Sequence, residues 1–172
     1  MESVAIFVDG ANMFYVQKKN GWHIDFNKVF GYFSHGKNLH AAFYYTATPP
    51  YSERERVEGY RRFREALIHI GYTVRDKEVR VLRDPTTGQT KLKGNLDIEM
   101  VMDLVSNRSH YDEAVLVGGD SDFVPVVRFL RDEGKRVTVV GQRGFTSLEL
   151  INCSSKYIDV NDIRTYIEKT KK

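Results

Sequence analysis

A chain of 172 residues, 41% of them hydrophobic, is long enough for one substantial core and too short for two ordinary domains. The net charge of +3 permits an anionic partner without requiring one. No apolar run approaches the roughly 20 residues that span a bilayer, no signal-peptide pattern opens the chain, and the single cysteine, Cys153, cannot form an internal disulfide. These features predict one cytoplasmic domain over 1–172, with a short basic C-terminal tail, a buried Cys153 and no membrane association.

Four short apolar runs, each bounded by glycine, aspartate or charged residues, are typical of buried parallel strands. In chain order they are VAIFV from Val4, LHAAFYYTA from Leu39, AVLVGG from Ala114 and RVTVVG from Arg136. A further strand is predicted between Thr73 and Leu82.

Helical patterns separate these runs, because apolar residues recur at three- and four-residue steps over 57–70, 98–105 and 123–130. The mixed arginine and glutamate residues of 53–65 are expected to form a solvated helix face. A last helix is predicted over about 161–168. Strands that alternate with helices indicate an α/β sandwich with a mainly parallel central sheet.

Aspartates follow two of the predicted strands. Asp9 ends the first run, and a charge there requires a partner such as a helix dipole, a basic side chain or a metal ion. Asp120 and Asp122 follow AVLVGG, whose glycine pair allows a sharp turn that aims Asp120. Because ligands of open α/β sheets bind beyond the carboxyl ends of the strands, near the point where strand order reverses, these acids are expected to meet at one edge.

A third acid, Asp97, lies at or just before the start of the helix in KGNLDIEMVMDLV. Taken alone, an N-cap explains Asp97 best, and the same alternative applies to Ser121 and Asp122. Asp103 lies six residues after Asp97, so on a regular helix, at about 100° per residue, the two side chains point roughly 120° apart. Asp103 is therefore a secondary candidate that is expected to lie off the site.

Carboxylates that meet at one edge repel each other unless a cation neutralises them. Oxygen ligands favour Mg²⁺ or Mn²⁺ over zinc, for which the five dispersed histidines offer no cluster. Such an ion leaves positions for a phosphate oxygen and an attacking water, which is the chemistry of phosphodiester hydrolysis. The phosphate-binding loop of ATPases, the dinucleotide fingerprint, the nucleophile elbow and the paired aspartates of haloacid dehalogenase-type phosphatases are all absent from the sequence.

A basic and aromatic rim is needed if the substrate is RNA. Asn12 would donate to a phosphate or orient Asp9, or it is an ordinary turn residue. Phe145 and Tyr15 are available for stacking, although core packing is the preferred interpretation of Tyr15. The candidate substrate-binding residues are Asn12, Lys91, Lys93, Ser121 and Arg143.

The stretches IFVDGANMF, KGNLDIEMVMDLV and AVLVGGDSDFVPVVRFLRDEGKRVTVVG, followed by GFTSLELINCSSKYIDV, resemble the NYN domain in order and spacing. The likeness is to its bacterial LabA-like branch, a relative of PIN nucleases, and spans nearly the whole chain. It implies a PIN-like, Rossmann-like three-layer α/β/α sandwich. It also implies a metal-dependent ribonuclease centre with Mg²⁺ or Mn²⁺ on Asp9, Asp97 and Asp120, supported by Asp122 and Asn12, with Asp103 as a further family acid.

The first hypothesis is accordingly a ribonuclease that prefers single-stranded RNA, with Asp9, Asp97, Asp120 and Asp122 as catalytic residues; a homodimer is compatible with it. The alternative is an RNA-binding or regulatory module that keeps the fold and turns over little. A small-molecule phosphohydrolase would use the same ions and differ in the shape of its groove. The intact acidic set favours the enzyme.

Overall fold

The structure, a computed structural model, describes residues 1–93 and 95–170, without the side chains of 80–82 and 90–93. The last two residues of the predicted basic tail therefore lie outside the described residues. No helix in the described part of the chain is both long and apolar enough to cross a bilayer.

Six strands form one all-parallel sheet, and a separate antiparallel hairpin adds two more. The strands are β1 (Ser3–Asp9), β2 (Asn38–Thr48), β3 (Thr73–Glu78), β4 (Arg80–Arg83), β5 (Thr90–Lys93), β6 (Glu113–Val117), β7 (Arg136–Gly141) and β8 (Lys156–Asp159). The sheet order is β3-β2-β1-β6-β7-β8, and β4 pairs with β5. The chain runs outward from β1 through β2 to β3, then returns to the other side of β1, so the strand order reverses between β1 and β6.

Helices cover both faces of the sheet. They are α1 (Gly10–Asn20), α2 (Phe26–Ser34), α3 (Arg54–Ile70), α4 (Asp97–Ser106), α5 (Val124–Asp132), α6 (Leu148–Cys153) and α7 (Arg164–Ile167), with 3₁₀ turns at Arg108–His110 and Ser121–Phe123. The central strand β1 is apolar from Val4 to Val8 because both faces are covered: Ile6 packs with α1, α2, α3 and α7, and Phe7 packs with α4, α5 and α6. The predicted three-layer α/β/α sandwich is therefore confirmed.

The predicted α3, α4 and α5 are present, with Pro125 in the first turn of α5, where a missing N–H does no harm. The basic and acidic residues of α3 form exposed ion pairs such as Arg61 with Glu58, as expected for a solvated face. The expected burial of Cys153 is also confirmed, since only 9% of this residue is exposed.

Several element predictions differ from the structure. The strand predicted between Thr73 and Leu82 is present as β3, and the same interval also contains the start of β4, in the hairpin. The last helix covers only Arg164–Ile167. The segment after Asp9, interpreted as a turn, is the first turn of α1, and α2, α6 and β8 were not predicted. α1 escapes a periodicity test because its exposed side carries Phe14 and Tyr15, so apolar residues do not mark one face.

Candidate metal centre

Three aspartates converge where the sheet order reverses. One carboxylate oxygen each from Asp97, Asp120 and Asp122 lies within 4.8 Å of the other two, and we call this group the aspartate cluster. Asp97 is the first residue of α4, whereas Asp120 and Asp122 follow the carboxyl end of β6. The predicted metal set named Asp9 in place of Asp122, so the tightest grouping in the structure differs from it by one residue.

Asp9 lies beside the aspartate cluster and has a structural role that the sequence did not reveal. Its Oδ1 accepts a hydrogen bond from the backbone N–H of Asn12 at 3.0 Å, which makes Asp9 the N-cap of α1. Burial, with added repulsion from Asp97 and Asp120, nevertheless raises the pKa of Asp9 from 3.8 to about 6. The helix end is thus one partner for this charge, and it leaves the charge incompletely stabilised.

Asp97 is held by a residue that sequence reasoning missed. The backbone N–H of Asp97 donates to Oδ1 of Asn95 at 2.7 Å, and the Asn95 side-chain amide donates back to the Asp97 carboxylate. The interpretation of Asp97 as an N-cap is wrong, because Asp97 lies inside the helix and Asn95 satisfies its N–H. An asparagine two residues before a helix was the available signal. Burial, then repulsion from Asp120 and Asp122, raises the pKa of Asp97.

Asp120 organises the turn that carries Asp122. Oδ1 of Asp120 accepts the backbone N–H of Asp122 at 3.0 Å, so Asp120 is the N-cap of the 3₁₀ turn Ser121–Phe123. The capping alternative for Ser121 and Asp122 is therefore wrong, since both are inside the turn and exposed. This bond fixes the two carboxylates relative to each other.

The glycine pair before Asp120 is needed for close approach, which corrects the prediction of a sharp turn. Neither Gly118 nor Gly119 has a positive φ. A β-carbon on Gly118 would lie 3.0 Å from Cβ of Asp9, and one on Gly119 would lie 2.9 Å from Cα of Thr146. The backbone N–H of Ser147 also donates to the carbonyl of Gly119 at 3.0 Å, so the loop after β7 rests directly on this turn.

Gly119→Ala should lower the free energy of unfolding by about 1–3 kcal/mol, because the added methyl group collides with backbone that has no room to yield. Gly59→Ala is the matched control: Gly59 lies in α3 with nothing within 4 Å of its β-carbon position. That control should raise stability by about 0.4–1 kcal/mol. Urea unfolding of both variants tests this, and a Gly119→Ala protein as stable as wild type would contradict the close packing.

Cations of the described residues do not compensate these acids. The ion pairs that the structure describes involve other carboxylates, and Asp9 and the aspartate cluster take part in none of them. Asp103 shows the contrast, since it accepts hydrogen bonds from Arg75 Nε at 3.0 Å and from the Tyr45 hydroxyl at 2.8 Å. Asp103 lies outside the cluster, as its helical offset from Asp97 indicates.

The remaining candidates surround this edge unevenly. Arg143 is exposed in the loop that rests on Gly119, and Asn12 uses its backbone N–H, rather than its side chain, to orient Asp9. The side chains of Lys91 and Lys93, in β5, lie outside the described part of the structure.

The aromatic candidates are accessible. Tyr15 is 63% exposed, so its preferred interpretation as a core residue is wrong. Phe145 is 39% exposed, and the ammonium group of Lys19 lies 4.5 Å from its ring centroid. Lys19 was missed because it is distant from Phe145 in the sequence, and only the fold brings the two together.

The all-parallel sheet with carboxylates gathered at its switch point is consistent with a PIN-like fold. The family model for the NYN domain matches residues 3–163, and the chain belongs to the NYN domain family. It is 41% identical to the low amplitude and bright protein LabA of Synechococcus elongatus, over 98% of this chain and 89% of that protein. The crystal structure of a protein of unknown function from Vibrio parahaemolyticus has the same fold, with a TM-score of 0.79, 25% identity and 96% coverage of both chains.

Proposed function

We propose that this chain is a ribonuclease that hydrolyses RNA phosphodiesters, preferably in single strands, with Mg²⁺ or Mn²⁺ bound at the aspartate cluster. The observation that carries the proposal is the convergence of Asp97, Asp120 and Asp122 within 4.8 Å, at the switch point of an NYN domain. Asp9, immediately beside them, completes an edge with four carboxylates.

The donor set fits a hard divalent cation. All four side chains offer oxygen, which is the ligand type that Mg²⁺ and Mn²⁺ prefer. The raised pKa values of Asp9 and Asp97 show that the charged forms are poorly stabilised by the described protein groups alone. A bound cation would remove that penalty, because it favours the ionised carboxylates.

When bound, such an ion supplies a Lewis acid for a phosphate oxygen and an activated water at neutral pH. The protein's own groups position the reaction around it. α1 and α4 both begin at this edge, so the positive ends of their dipoles face the carboxylates and an incoming phosphate. Asp120 fixes the position of Asp122, and Asn95 fixes that of Asp97.

The RNA preference is supported by the surroundings of the edge. Arg143 and Lys19 provide exposed positive charge near the loop on Gly119, and Phe145 offers an aromatic ring there. Single-stranded RNA exposes bases that can stack on such rings, whereas paired bases cannot reach them.

The proposal is tested by incubating the protein with end-labelled single-stranded RNA, the same RNA as a duplex, and single-stranded DNA of the same sequence. We expect fragments from single-stranded RNA with Mn²⁺ or Mg²⁺, and much slower cutting of the other two. RNA that is bound but uncut with either ion would identify the weak binding module instead. Hydrolysis of p-nitrophenyl phosphate without RNA cleavage would identify a small-molecule phosphohydrolase.

Arg143→Ala should weaken RNA binding. It should also reduce the magnitude of the slope of log affinity against log salt concentration by roughly 0.7, the change expected for the loss of one phosphate contact with a single strand. Lys156→Ala is the control. Lys156 is exposed at the amino end of β8, and the aspartates lie at the carboxyl ends of the parallel strands, so the two are at opposite ends of the sheet. Fluorescence anisotropy over a salt series measures both slopes. Equal slopes for the two variants would remove Arg143 from the rim.

A further inference from the structure

A largely apolar groove of about 740 Å³ opens beside Gly10 and Ala11, the residues that directly follow Asp9. Its walls come from three elements distant in sequence: Phe14 on α1, Tyr44 on β2 and Phe63 on α3. The groove is therefore continuous with the carboxylate edge at the start of α1.

Exposed aromatic rings distinguish the α1 side of this groove. Phe14 and Tyr15 are 60% and 63% exposed, and their rings make an edge contact with centroids 5.7 Å apart. Side chains of this size bury well in a core, so two adjacent exposed rings beside a groove mark a surface where another flat group can stack.

Tyr44 places an unpaired polar group in the same groove. Of the four buried tyrosines, three donate their hydroxyl to a protein oxygen: Tyr45 to Asp103, Tyr72 to the carbonyl of Phe26, and Tyr111 to the carbonyl of Leu104. Tyr44 is only 4% exposed, and its hydroxyl has no hydrogen-bond partner among the described residues; its oxygen is not one of the fully buried unpaired atoms, so it is open to the groove that Tyr44 lines. A hydroxyl that opens into a groove without a protein partner is free to donate a hydrogen bond to a bound ligand.

The Tyr44 ring also links the groove to the acidic edge. A β-carbon on Gly10 would lie 2.6 Å from Cε1 and 3.0 Å from Cζ of Tyr44, so the phenol end of this side chain packs against the backbone that follows Asp9. Among the charged groups of the lining, Arg56 is paired with Glu53 at 2.5 Å, so Lys169 supplies the net positive charge, which suits an anionic chain.

We propose that this groove binds the base of a nucleotide next to the scissile phosphodiester, stacked on Phe14 and hydrogen-bonded by the Tyr44 hydroxyl. The inference rests on the proposed ribonuclease function, because it is the RNA backbone at the carboxylate edge that delivers the base. A base satisfies both features, since its flat face stacks on an aromatic ring and its edge carries acceptor atoms. The groove would thus set which base is preferred beside the cut.

Binding of fluorescein-labelled single-stranded RNA in EDTA, which keeps the RNA intact, tests this site. Phe14→Ala should weaken binding about 10-fold, as expected for the loss of one base–aromatic stack. Tyr44→Phe should weaken it about 5-fold without lowering the melting temperature, because the hydroxyl has no protein partner to lose. A series of RNAs that each lack one base locates the bound base. Removing the base at one position should lower the affinity of the wild-type protein, whereas removing the same base should not lower the affinity of either variant any further.

Two control variants separate binding from folding. Tyr111→Phe removes a hydroxyl that is bonded inside the protein, so it should lower the melting temperature and leave RNA affinity unchanged. Tyr166→Ala removes an aromatic ring that is as exposed as that of Tyr15 but lies on α7 and does not line the groove. It should also leave affinity unchanged.

The outcomes distinguish this inference from the function beneath it. If wild-type protein cuts RNA while Phe14→Ala and Tyr44→Phe bind intact and base-lacking RNAs as wild type does, the base site is overturned and the ribonuclease stands. If wild-type protein neither binds nor cuts RNA, the proposed function fails and the base site fails with it. If the two variants bind more weakly than wild type only to RNAs that contain this base, the result supports both the base site and the proposed function.

Discussion

Asp97→Asn is expected to lower RNA cleavage by about two to four orders of magnitude, because activation of water and phosphate at such a centre contributes several kcal/mol to the reaction. Asparagine has nearly the same size and keeps an oxygen that can accept the amide of Asn95. Fold and RNA binding should therefore survive, and only the charge is lost. Single-turnover cleavage of labelled RNA, with circular dichroism of the same samples, measures both effects.

Asp103→Asn is the matched control, since it makes the same chemical change on the same helix. Asp103 binds Arg75 and Tyr45 instead of facing the aspartate cluster, so this variant should lose stability and retain cleavage. Equal losses of cleavage in both variants would mean that helix α4 matters through its packing. Full cleavage by Asp97→Asn would place the reaction at another site or in a contaminant.

Asp9→Asn should stabilise the metal-free protein at pH 7.5. The folded state raises the pKa of Asp9 from 3.8 to about 6, so it binds this proton more tightly than the unfolded chain does. The contribution of Asp9 to the free energy of unfolding is therefore most favourable below about pH 4, falls as the pH rises to about 6, and above that is lower by ~3 kcal/mol, at 1.36 kcal/mol per pKa unit. Asparagine remains a good N-cap and removes this cost.

The expected rise in melting temperature is about 6–12 °C at pH 7.5, and it should vanish as the pH falls toward 4. Mn²⁺ should stabilise the wild-type protein more than the variant, because an ion that binds only the native state shifts unfolding by mass action. Asp25→Asn is the control: Asp25 caps α2 through the backbone N–H groups of Asn27 and Lys28, and asparagine should replace it with little effect. If Asp9→Asn and the wild-type protein melted at the same temperature at pH 7.5, the result would contradict an incompletely stabilised charge on Asp9.

The sequence predicts where aspartates converge, because that place depends on local signals and one general rule. The apolar run of β1 identifies a buried parallel strand, and an acid at its end must lie at the carboxyl edge. The same rule places Asp120 and Asp122 there, since they follow β6. The structure brings the latter two together with Asp97, which begins α4 and which the strand-end rule does not place.

The parts that sequence did not predict depend on contacts between distant segments. The need for Gly119 follows from the loop around Thr146, which is remote in sequence. The sequence does not show that the Tyr44 hydroxyl lacks a protein partner, because Tyr44 and Tyr45 are adjacent in the same apolar run. Only the structure shows that the Tyr45 hydroxyl is hydrogen-bonded to Asp103. The groove itself needs α1 and α3 against β2, and α1 was not recognised because its aromatic residues point outward.

The most direct test of the central claim is single-turnover cleavage by metal-stripped protein to which Mn²⁺ is added back. Protein in excess over labelled single-stranded RNA should cut nothing in EDTA, and cutting should return and saturate as Mn²⁺ rises, in wild-type protein and not in Asp97→Asn. Cleavage that persists in EDTA, or that is absent at every Mn²⁺ concentration while the protein is folded, would contradict a metal-dependent ribonuclease at the aspartate cluster.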